Sequence, residues 1–142
     1  MSAVRNAEEL RKEWLDRLSR LVHDVKNWAE KLGWSTRQFE LAREDSKIGR
    51  YQAPALVLQK DATRILLEPI ARSAPGANGV VDLYLMPAYD DIVSLYLVDD
   101  RWQLHYMFPG TATVETIREA EGRLLTEETF REALGEMSKN AV

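Results

Sequence analysis

The residues that could do chemistry are few. The 142-residue chain has two histidines, His23 and His105, and no cysteine. Thiolate nucleophiles, thiolate metal sites and disulfides are thereby excluded. His105 falls in a segment of alternating apolar and polar residues. Neighbouring segments place Glu68, Asp82, Tyr84 and Tyr96 in matching phase. Imidazole beside carboxylates and phenols can relay protons or hold a metal. The spacing carries no local signature, because each group comes from a different segment. The expectation for His105 is a hydrogen-bonded structural or surface histidine, with no metal and no cofactor. His23 lies beside Asp24, off the apolar stripe of its segment, and is expected in solvent.

Other chemical signatures fail in specific ways. A nuclease of the Asp…Glu-x-Lys type needs an acid two residues before a strand lysine, and Lys60 has Leu58 there. The pairs Asp90-Asp91 and Asp99-Asp100 suit turns, where aspartate bonds its own backbone. The loop Ala74–Gly79 leads into a strand, and it lacks the glycine patterns that cradle phosphate at a helix start. No serine sits in a nucleophile signature and no HExxH is present. Trp14, Trp28, Trp34 and Trp102 all face leucines rather than basic residues, which makes them core rather than a stacking platform for bases.

These side chains need elements to position them. Leu10, Trp14, Leu18, Leu21, Val25, Trp28 and Leu32 recur at steps of three and four, the stripe of one long helix over residues 7–32. Asn6 with Glu9 resembles a capping box, and Gly33 suits the left-handed position just past the end. Glu13–Arg17, Asp16–Arg20 and Lys26–Glu30 are spaced for ion pairs on the outer faces. Short strand-like segments follow at 37–43, 55–60, 65–71, 80–86, 92–98 and 102–108, and Pro69 suggests an edge or a bulge. Residues 45–52 are polar, contain Gly49 and read as a turn or loop. Connections this tight force antiparallel neighbours. Residues 111–122 are ambiguous, with Val114 and Ile117 favouring a helix and Gly122 opposing it. Thr126 opens a second helix over 127–137, with Leu125 and Phe130 at staple positions.

The fold class is therefore α+β: a long N-terminal helix packed on an antiparallel β-meander of five to six strands, then a short C-terminal helix. One domain covers 1–142, with 1–5 and 138–142 frayed. Alternation sorts Leu56, Leu58, Ile65, Leu67, Val81, Leu83, Leu85, Val93, Leu95, Leu97, Trp102, Leu104 and Tyr106 onto one apolar face. The helix outreaches a strand of six or seven residues, so an overhanging end is expected unless it crosses diagonally. The other face mixes Val57, Gln59, Arg64, Leu66, Glu68, Asp82, Tyr84, Met86, Ser94, Tyr96, Gln103 and His105. It reads either as a half-solvated face partly covered by the C-terminal helix or as a binding surface.

Formal net charge is −4. Residues 1–37 carry eight basic and six acidic groups, residues 38–107 seven and ten, and residues 108–142 four and seven. An acidic body argues against nucleic acid as a partner. The chain shows no signal-peptide core and no apolar run of membrane-spanning length, which points to a cytoplasmic protein away from membranes. The functional expectation is a non-enzymatic protein-binding or interaction domain, self-association included. Its candidate contacts are Tyr84, Met86, Tyr96, Gln103 and His105. The alternative is a small-molecule binder or small enzyme anchored by His105, Glu68 and Asp82. A homodimer through the first helix is a third reading.

Overall fold

The first helix, α1 (Ala7–Lys31), starts and stops where its sequence says it must. The Asn6 side chain accepts the Glu9 backbone N–H at 2.9 Å. At the other end the Trp34 N–H reaches back to the Ala29 carbonyl and the Gly33 N–H to that of Glu30. This double closure is a Schellman ending, and Gly33 supplies its left-handed residue at φ +88°. Of the three expected outer-face ion pairs, Lys26–Glu30 forms at 3.1 Å. Arg17 turns instead to Asp100, 2.9 Å away.

The computed structural model describes residues 6–87, 91–106 and 122–140. Seven strands follow α1: β1 (Ser35–Asp45), β2 (Gly49–Lys60), β3 (Thr63–Ala71), β4 (Val80–Leu85), β5 (Ile92–Val98), β6 (Arg101–His105) and β7 (Arg123–Leu124). The chain ends in α2 (Glu127–Asn140). The strands lie in sequence order in one sheet, and every neighbouring pair is antiparallel. The α+β meander is thus as expected, with one strand more than the upper count. The extra strand, β7, has two residues, too few to show an alternation. Pro69 marks a register shift between Pro69 and Ala71 in an interior strand, a bulge and not an edge.

Residues 46–48 form the expected turn, but Asp45 and residues 49–52 are strand. Their polar composition hides the outer end of a continuous hairpin, paired from Ser35↔Gln59 to Asp45↔Gly49. Asp45 Oδ1 accepts the N–H groups of Lys47 and Ile48, which folds the turn, and Gly49 takes φ +73°. Burial in β2 changes phase across Ala53, Pro54, Ala55 and Leu56, all buried in succession. Hence Tyr51 and Leu56 both join the main core.

This hairpin settles the length of α1. Twelve residues of β2 extend about 40 Å, and 25 residues of helix about 37 Å. Arg11 donates to the Ile48 carbonyl from Nη2 at 2.6 Å, and Lys60 donates to the Leu32 carbonyl at 3.0 Å. The hairpin therefore accompanies the helix along its length, and its stripe from Trp14 to Ala29 is buried within the chain. The overhang that suggested a dimer through this helix does not occur. Gly79 lets the sheet meet it closely: a Cβ there would lie 2.6 Å from the Trp14 ring.

The whole predicted apolar face lies in the core or against it. The second helix packs on that same side. Phe130, Ala133, Leu134 and Met137 are buried, and the Phe130 and Trp28 rings stand 5.7 Å apart. The expectation that α2 partly covers the mixed face is thus corrected. Its stripe of apolar residues belongs with α1, where the larger apolar area is. Residues 138–140, within the end expected to fray, are helical. Asn140 donates to Asp91 at 2.9 Å and stands 3.5 Å from the Tyr106 hydroxyl. Residues 1–5 and 141–142, most of 111–122, and Met107 and Phe108 of the sixth expected strand lie outside the described residues. Among the described residues no helix is long and apolar enough to cross a membrane.

Candidate functional site

Register builds the site. Glu68 pairs with Asp82, Asp82 with Ser94, and Ser94 with His105. Four consecutive strands, β3 to β6, thereby set four polar side chains in one row across the face opposite the helices. The next row runs Val80, Tyr96, Gln103 and Leu124 over β4 to β7. On the other side lie Leu66 and Tyr84. Cross-strand partners share a face, so these rows follow from the alternation alone once the register is fixed.

Six of the seven candidates, Glu68, Asp82, Tyr84, Tyr96, Gln103 and His105, are brought together in this way. Met86 is half-buried just past the end of β4, its N–H on the Arg64 carbonyl at 2.9 Å. Tyr84 is 5 % exposed and so belongs to the body of the protein rather than its surface. His23 is exposed, with Asn27 Nδ2 3.1 Å from its Nε2.

The polar groups are tied mainly to each other. Arg43 reaches across β2 from the end strand and places Nη2 2.5 Å from Glu68 Oε2, while its Nε donates to the Pro69 carbonyl at 2.8 Å. The Tyr84 hydroxyl donates to the other oxygen of Glu68 at 2.8 Å. Ser94 Oγ donates to Asp82 Oδ1 at 2.9 Å. Burial pushes the Asp82 carboxyl above the usual aspartate range. The Ser94 hydrogen bond opposes this and the Glu68 charge adds to it. Along the row, Asp82 and His105 are two strand spacings apart, about 10 Å between backbones, with Ser94 between them. This order differs from a nucleophile triad, in which the imidazole stands between acid and hydroxyl.

The far end of the face is aromatic. The Tyr96 and His105 rings meet edge to face, with centroids 4.9 Å apart and planes at 88°. Gly122 closes on His105, and a Cβ there would lie 2.8 Å from His105 Nε2. Leu124, beside Gln103, is 45 % exposed. Arg43, Ser94 and Leu124 lie outside the candidate set drawn from sequence. Ser94 carries a signal there, since it shares the phase of Tyr96; Arg43 ends the weakly alternating segment 37–43, whose place beside β3 its own residues do not give, and Leu124 lies in no segment read as a strand.

Three clefts, of about 430, 580 and 530 Å³, lie elsewhere. The first is between α1, α2 and the β2–β3 turn, the second beside Trp14, Arg17 and Arg72, the third at the outer end of the β1–β2 hairpin. None is lined by Glu68, Asp82 or His105. Among the described residues, no three histidine or carboxylate groups converge as metal ligands would. No protein-family model, curated protein or solved structure matches this chain.

Proposed function

We propose that this chain is a non-enzymatic protein-interaction domain whose contact surface is the sheet face around Tyr96, Gln103 and His105. The observation that carries the reading is the row Val80–Tyr96–Gln103–Leu124, which runs from a buried valine to an exposed leucine at the last strand. Such a row offers a protein an aromatic anchor, an amide and an apolar rim. The ionisable groups behind it hold the face in shape, as the Arg43–Glu68–Tyr84 bonds do.

A photo-crosslinking residue introduced at Tyr96, expressed in the natural host, tests the reading. A discrete crosslinked partner is expected there and not from a control at Arg20. Adding Leu124→Asp should abolish that product while leaving the melting temperature within about 2 °C, as exposed substitutions do. Equal labelling at both positions would reject the surface. The alternative, a small-molecule binder or enzyme, draws on the raised pKa of Asp82 beside Ser94, since perturbed carboxyls cluster at working sites. It requires a concave pocket over that row.

A further inference from the structure

We propose that the free edge of β1 is a self-association surface, occupied by β1 of a second copy in an antiparallel two-fold pairing with Leu41 on the axis. This surface is separate from the face around Tyr96, so each proposal can fail alone.

Among the described residues the β1 strand ends the sheet and is paired along one side only, with β2. Eleven residues present an edge of about 37 Å. Free edges of that length are usually shortened, kinked by a bulge, interrupted by proline or lined with charge, and of these β1 uses only charge, of both signs. The segment Ser35–Asp45 has no proline and no glycine, and its ladder runs without a register shift. The opposite end strand, β7, has two residues. Phe39 and Leu41 are half-buried along β1, so the strand carries apolar surface its own sheet leaves partly open.

Charge selects the register. In a two-fold antiparallel pair each residue meets one of like phase in the other copy, so the axis falls on a residue. An axis at Glu40 sets Glu40 against Glu40 and Arg37 against Arg43, and like charges directly opposite are unfavourable. An axis at Phe39 avoids this but leaves Arg37 facing Leu41. An axis at Leu41 pairs Leu41 with itself, Arg37 with Asp45, Gln38 with Glu44, Phe39 with Arg43 and Glu40 with Ala42. Each contact but the central one occurs twice. Arg37 joins Arg72, which already lies 3.4 Å from the Asp45 carboxylate. The Arg43 guanidinium stays on Glu68, and its aliphatic stem is what Phe39 meets.

The native chain has no cysteine, so single-cysteine variants report the register cleanly. Wild-type protein measured by light scattering should show twice the 16.3 kDa chain mass at high concentration. Mild oxidation should link Leu41→Cys, whose copies face each other across the axis, and leave Phe39→Cys unlinked, because its copies are offset along the strands. Leu41→Arg should be monomeric, with a melting curve unchanged at dilutions where the wild type is monomeric too. The proposal is overturned by a wild type that stays monomeric at the highest concentration measured, by faster linking of Phe39→Cys, or by a dimer that survives Leu41→Arg.

Discussion

Asp82 is a carboxyl group whose protonation the fold alters. It lies between Glu68 and Ser94 in one row, and burial holds its carboxyl above the ordinary aspartate pKa. The folded chain therefore binds its proton more tightly than the unfolded chain. Its contribution to stability is complete below the ordinary aspartate range and is lost as pH rises through the folded pKa. Replacing Asp82 by asparagine removes that loss and keeps an acceptor for the Ser94 hydroxyl. The melting temperatures of variant and wild type should coincide near roughly pH 3, where both side chains are uncharged, and the variant should lead increasingly toward neutrality. Parallel profiles across that range would show that the carboxyl titrates as an ordinary one. At this scale the sequence was a partial guide. Phase in the strands grouped Glu68, Asp82, Tyr84, Tyr96 and His105 correctly, because alternation is a local property. It could not show that Tyr84 is buried or that Arg43 reaches Glu68, since both depend on which distant strand lies alongside.

Among the elements, α1 and the strands from β3 to β5 were legible because their apolar periods are strong. In the β1–β2 hairpin, residues 37–43 and 55–60 were legible as strands, but the outer end at 49–52 was not, because Gly49, Arg50 and Gln52 are exposed and only Tyr51 is buried. Its turn is made by Asp45 bonding forward to Lys47 and Ile48, a signal too short to separate from an ordinary loop. The start of α2 was readable from Thr126. Its hydroxyl accepts the Thr129 N–H at 3.1 Å, and Thr129 Oγ1 accepts the Thr126 N–H at 2.8 Å. Gly135 is an exposed interior position of α2, and beyond its chain neighbours and the helix's own backbone no heavy atom lies within 4 Å of where a Cβ would stand. Gly135→Ala lowers the backbone entropy of the unfolded chain and meets no neighbour. It should stabilise the protein by about 0.5–1 kcal/mol in chemical denaturation. A loss of stability would mean that the helix is interrupted there.

For the molecule as a whole, both helices share one face, so one core contains residues from the first element and the last. Phe130, 2 % exposed against Trp28, is the clearest link between them. Phe130→Ala should cost about 3–5 kcal/mol. The loss should be global, with amide exchange accelerating in β5 as well as in α2, because the two are parts of one cooperative unit. Acceleration confined to α2 would instead make that helix an appended layer. The sequence implied a single domain but not this closure, since a helix stripe shows that something covers it and not which element does.

That closure also sets when the protein can finish folding during its synthesis. Lys31 and Glu127, joined at 3.1 Å, are 96 residues apart in the chain. At ordinary elongation rates the ribosome needs about 5–20 s to make that interval. For that time α1 has emerged without the helix that completes its cover, and Trp28 lacks its partner ring. A message truncated before the codon for Phe130 yields a product in which Trp28 lacks its partner ring and the core lacks its last layer.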